Sequence, residues 1–139
     1  MPILLDTGIL YAYYDRSDAW HERAAALVNA ERGGLLVPGP VIPEVDHLLG
    51  RRLGREARHL FYQGLAEGGY LMVDLPQEAV RRVDEINRRF PDLDLGYVDA
   101  AIVALAESLG VKRIGTTDRR DFEPLGAALA LEILPVPAR

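Results

Sequence analysis

An α/β fold, with helices on both faces of a parallel sheet, follows from three features of the sequence. Short apolar runs of strand length alternate with longer stretches whose apolar residues recur at helical spacing. Glycine or proline punctuates most junctions between them. The chain has 139 residues, enough to bury a real core yet within the range of one domain. With no repeat, linker or break in composition, residues 1–139 read as a single domain.

The elements follow in order. Ile3-Leu4-Leu5 is a buried strand ending at Asp6, and Thr7 to Tyr14 is a short helix. Asp18 is placed to N-cap a helix running to about Arg32, closed by Gly33-Gly34. Leu35-Leu36-Val37 is the second strand, stopped by Pro38-Gly39-Pro40. A helix from about Val41 sets Val45, Leu48, Leu49 and Leu53 on one side and stops at Gly54. Arg55 to Glu67 is another helix, and Tyr70 to Val73 the third strand. Gln77 to Phe90 is helical, with Val80, Val83 and Ile86 at core spacing. The helix from about Gly96 to Leu109 is expected to bury Val98, Ile102, Leu105, Ala106 and Leu109. Arg113 to Thr116 is the fourth strand and Glu132-Ile133-Leu134 the fifth.

Composition narrows the chemistry. Apolar residues make up 49% and charged residues 27%, which is globular rather than disordered. The absence of cysteine removes disulfide scaffolds, thiolate zinc sites and cysteine nucleophiles together. His21, His47 and His59 are scattered, so zinc fits poorly. Met1 to Asp6 lacks a basic leader, and Leu125 to Leu131 is too short to span a bilayer. A soluble cytoplasmic protein with no membrane partner is expected. The net charge of −5 argues against a large non-specific nucleic-acid footprint.

Carboxylates carry the functional signal. Asp6 ends the first strand, where it serves equally as a helix cap. Glu44 and Asp46 lie about 200° apart on one helix, flanking its apolar stripe, and periodicity does not choose between them. Asp99 sits in a first helical turn, where the helix dipole favours an acid, but it borders the buried face and needs a partner there. Asp118 follows the fourth strand, with Asp121 spaced as a capping-box acid and Thr116 supplying a hydroxyl. Parallel sheets bind ligands at the carboxyl ends of their strands. If the first and fourth strands are neighbours, Asp6, Glu44, Asp99 and Asp118 converge there. Carboxylates that close need compensation, and Mg²⁺ or Mn²⁺ with oxygen ligands supplies it. Such a site suits phosphodiester hydrolysis. Thr7 and Thr116 are candidate supporting hydroxyls, Asp121 a supporting acid, and Arg119 and Arg120 candidate substrate contacts.

Asp6-Thr7, Pro43-Glu44-Val45, Tyr97-Val98-Asp99-Ala100-Ala101-Ile102 and Thr116-Thr117-Asp118-Arg119-Arg120-Asp121-Phe122, in that order, resemble PIN domains. The likeness is strongest to short single-domain VapC-type toxins and spans essentially the whole chain. It implies a three-layer α/β/α sandwich and Mg²⁺- or Mn²⁺-dependent cleavage of RNA. It also implies Glu44 rather than Asp46, a homodimer, and a small antitoxin as partner. The hydrophobic, tyrosine-rich Ile9 to Trp20 segment is then a candidate interface, with core packing as the alternative. Two alternatives remain: a non-catalytic PIN-like RNA- or protein-binding module, and a PIN nuclease of RNA processing without an antitoxin. A haloacid-dehalogenase-type phosphatase wants a second Asp where Gly8 stands. A response-regulator receiver wants a late lysine, and Lys112 precedes the fourth strand.

Overall fold

Three consecutive apolar residues form β1 (Ile3–Leu5), and each is wholly buried, as a central parallel strand requires. The computed structural model describes residues 1–136. After β1 come α1 (Thr7–Tyr14), α2 (His21–Ala30), β2 (Leu35–Pro38), α3 (Val41–Arg52), α4 (Arg55–Ala66) and β3 (Leu71–Val73). The second half contains α5 (Val80–Arg89), α6 (Gly96–Leu109), β4 (Arg113–Gly115), α7 (Arg119–Leu129) and β5 (Glu132–Leu134). Short 3₁₀ turns precede and follow α5, at Gln77–Ala79 and Pro91–Leu93.

The five strands lie parallel in the order β3-β2-β1-β4-β5. Leu4 faces Leu36 on one side and Ile114 on the other, so β1 is the spine of the sheet. From β1 the chain steps outward to β2 and β3, then returns to β1's free side for β4 and β5. Right-handed crossovers therefore place α1–α4 on one face and α5–α7 on the other, completing an α/β/α sandwich. The helix contacts keep that division: α1 packs on α2 and α3, α3 on α4, and α5 on α6. The direction of travel reverses between β1 and β4, which opens a crevice at their carboxyl ends.

The structure corrects several local expectations. α2 begins at His21, because the Asp18 carboxylate accepts the Trp20 N–H at 2.8 Å and closes a turn ahead of the helix. On α3 the buried stripe is Val41, Val45 and Leu49, while Leu53 is the exposed C-cap. Val80 and Leu109 are also exposed, since both sit at helix ends beyond the covering layer. Conversely, α6 is buried continuously from Ala100 to Ala106, so its small residues are enclosed rather than arranged on one face. β3 is an edge strand with Leu71 and Met72 exposed. In the tyrosine-rich segment, Ile9 to Ala12 belong to the core, and Tyr13, Tyr14 and Trp20 pack partly buried against it.

Candidate active site

Asp6 leaves β1 at the crevice, its N–H bonded to the Gly115 carbonyl of β4 at 2.9 Å. Its carboxylate has two tasks. Oδ1 accepts the Ile9 N–H at 2.9 Å, capping α1, and Oδ2 accepts the Thr116 hydroxyl. Thr116, fully buried, also accepts the Asp118 N–H at 2.8 Å, so one hydroxyl ties the ends of β1 and β4 together. Burial lifts the Asp6 pKa to about 6 against the lowering effect of these hydrogen bonds, and the Asp118 charge raises it further.

Asp118 caps α7 by accepting the Asp121 N–H at 3.2 Å. Asp99 arrives from the other side, in the first turn of α6, half-buried. Its pKa is pushed up to about 7, first by burial and then by the charges of Asp6, Asp118, Asp121 and Glu44. Asp121 is also raised, by burial and then by Asp118. One oxygen from each of Asp99, Asp118 and Asp121 lies within 4.8 Å of the others. An all-carboxylate set strained by its own repulsion fits a hard divalent cation, and no histidine or cysteine stands among the three.

Glu44 is exposed on the first turn of α3 and accepts the Thr7 hydroxyl at 2.6 Å. Asp46 faces elsewhere, paired with Arg58 at 3.3 Å and with the Tyr62 hydroxyl. Geometry thus separates two acids that helical periodicity left equivalent. Arg119 is held by Glu123 and by the Pro135 carbonyl, each at 2.6 Å, which occupies its guanidinium. Arg120 is exposed, and its charge is felt at Asp121.

The PIN domain family model matches residues 3–127, nearly the whole described chain. The chain belongs to the PIN domain family. This PIN domain is 28% identical to Ribonuclease VapC26 of Mycobacterium tuberculosis, over 88% of this chain and 91% of that protein. Its fold is similar to that of the M. tuberculosis toxin VapC20, a sarcin-ricin loop cleaving toxin. That match has a TM-score of 0.80 at 22% identity and covers 89% of this chain and 95% of the other. A toxin–antitoxin complex from Klebsiella pneumoniae contains a chain of similar fold, with a TM-score of 0.71 at 16% identity and 96% of each chain covered.

Within this PIN domain the structure brings Asp6, Thr116, Asp99, Asp118 and Asp121 to one corner, with Glu44 and Thr7 at its rim. Asp121 contributes one of the three carboxylate oxygens that lie within 4.8 Å of one another. Its spacing from Asp118 was the visible signal, but the same spacing also describes an ordinary helix cap.

Proposed function

We propose that this PIN domain is a Mg²⁺- or Mn²⁺-dependent endoribonuclease and the toxin of a toxin–antitoxin pair. The observation that carries this reading is the meeting of the Asp99, Asp118 and Asp121 oxygens within 4.8 Å, in charge contact with Asp6 and Glu44. The names of the relatives supply the RNA substrate and the antitoxin partner, and a homodimer belongs to the same proposal.

Asp99 and Asp118, with Asp121 beside them, would hold the ion, and Asp6 would set the inner wall. When bound, the metal supplies a Lewis acid that activates water and neutralises charge on the phosphoryl oxygens and leaving group. Thr116 fixes the Asp6 and Asp118 carboxylates relative to each other before substrate arrives, and Thr7 orients Glu44 towards the crevice. Arg120 is exposed beside Asp121 and, among the described residues, carries no ion pair, which makes it a candidate contact for an RNA phosphate. Among the described residues no helix is long and apolar enough to cross a membrane.

The test is cleavage of a mixed pool of structured RNAs by wild-type protein and Asp99→Asn, each with Mg²⁺, Mn²⁺ or EDTA. Discrete wild-type cuts are expected, abolished by EDTA and reduced on the order of a hundredfold or more in the variant. RNA binding without cleavage in any divalent metal would instead establish a non-cutting binding module.

A further inference from the structure

Beside the acid cluster is a pocket of about 240 Å³ lined by Arg89, Phe90, Pro91, Asp92, Leu93 and Pro124. Two features tie it to the acid cluster. Pro124 lies one helical turn beyond Asp121 on α7, on the same face. The Pro91–Leu93 turn runs straight into Asp94, whose charge is felt at Asp121, and then into α6, which carries Asp99.

The pocket is also preformed. Asn87 clamps the connection from α5 to α6: its Nδ2 donates to the Gly96 carbonyl at 3.1 Å, and its Oδ1 accepts the Gly96 N–H at 3.0 Å. Pro91 fixes the start of the turn, and Asp94 closes it in the left-handed region at φ 48°. A turn held at both ends presents its side chains without an ordering cost at binding.

Its chemistry suits a flat, partly apolar ligand bearing hydrogen-bond donors. The exposed Arg89 guanidinium, 5.1 Å from the centroid of the partly buried Phe90 ring beneath it, offers a planar surface on which a base can stack. Asp92 is exposed and, among the described residues, its carboxylate carries no hydrogen bond or ion pair. An ionised carboxylate only accepts. Guanine alone among the four RNA bases presents two adjacent donors, N1–H and the N2 amino group, on its Watson–Crick edge.

We infer that this pocket receives an unpaired guanine flanking the scissile phosphate, with Asp92 accepting from its Watson–Crick edge and the Arg89 guanidinium, backed by Phe90, stacking on its face. The inference rests on the ribonuclease reading for its position in the reaction, but base recognition is measurable without cleavage.

Two readouts test it. In the first, a random RNA library is cut by wild-type protein and by Asp92→Asn, and the junctions are sequenced. Guanine is expected at one position next to the cut, about fivefold or more over adenine. In Asp92→Asn, which matches adenine better, that preference falls or reverses. In the second, NMR shifts of residues 90–94 are followed in EDTA as a guanine-containing tetranucleotide or an all-uridine one is added. The guanine oligomer moves them in wild type and not in Asp92→Asn. Cuts without a guanine bias, or a bias unchanged in Asp92→Asn, would overturn the pocket and leave the nuclease standing. Guanine-specific shifts without any cleavage would uphold the pocket and sink the nuclease. Neither cleavage nor shifts would sink both.

Discussion

Thr116 is a small residue on which the geometry of the acid corner depends. Its hydroxyl is buried and serves Asp6 and the Asp118 N–H at once. Replacing it by valine leaves both without that partner, so Thr116→Val is expected to lose about 1–3 kcal/mol in urea denaturation and to raise the Asp6 pKa further. The raised acids also set a pH dependence. Asp6 and Asp99 bind protons more tightly folded than unfolded, at about 6 and about 7 against 3.8. Their contribution is fully present below the unfolded value and is lost as pH rises through the folded ones. The melting temperature of metal-free protein should therefore gain nothing, or fall, between pH 5 and 8, while the increment produced by Mn²⁺ grows over the same window. An increment independent of pH would detach these two acids from metal binding. At this scale the positions of Asp6, Asp99 and Asp118 were legible because strand ends and helix starts are readable. Helical periodicity could not separate Glu44 from Asp46, a choice that came only from the family resemblance, since their partners Thr7, Arg58 and Tyr62 are brought in by folding.

Among the elements, α6 decides where Asp99 stands. Periodicity located its ends well but assigned it a single apolar face, with Leu109 buried. The enclosed run Ala100-Ala101-Ile102-Val103-Ala104-Leu105-Ala106 shows why: a helix surrounded on all sides has no polar face for periodicity to detect. Small residues let neighbouring elements close over it. Ala101→Leu is expected to cost about 1–3 kcal/mol by overpacking. Because α6 carries Asp99, the same substitution should weaken the Mn²⁺-induced rise in melting temperature. A variant that loses stability but keeps the full metal response would show that α6 moves as a rigid unit. The exposed Leu53 and Val80 were misread for a simpler reason, since correct helical spacing does not reveal where the covering layer stops.

For the whole molecule, alternation of strands and helices gave the parallel sheet, but strand order was open. The site depended on β1 and β4 being neighbours, and their pairing through Leu4–Ile114 and Leu5–Gly115 meets that condition. Such pairing joins segments more than a hundred residues apart, beyond the reach of local pattern. At the amino-terminal end of the strands, Arg113 at the start of β4 makes a two-pronged ion pair with Glu31, just past α2, at 2.6 and 2.7 Å. The pairing guanidinium holds the Glu31 pKa below its usual value. Its contribution is therefore present above the unfolded pKa and lost as pH falls through the folded one, opposite in sense to Asp6 and Asp99. Glu31→Gln is expected to lower stability by about 1–2 kcal/mol at neutral pH while leaving Mn²⁺ affinity unchanged, as calorimetry would show. Loss of affinity would mean that the two ends of the strands are coupled.

The double duty of Asp6, as cap of α1 and as wall of the acid corner, bears on inheritance. Where an active enzyme harms its host, surviving lineages carry disabling alleles. Asp6→Ala relieves a buried charge but forfeits a cap worth about 1 kcal/mol and leaves the buried Thr116 hydroxyl without its acceptor, so its product should be the scarcer of the two. Asp99→Asn removes a repelled, half-buried charge and should yield an abundant inert protein. On the proposed toxin reading, such a product would still sequester the neutralising partner and so weaken the restraint on a functional copy. Two disabling routes would thus leave opposite signatures in a genome.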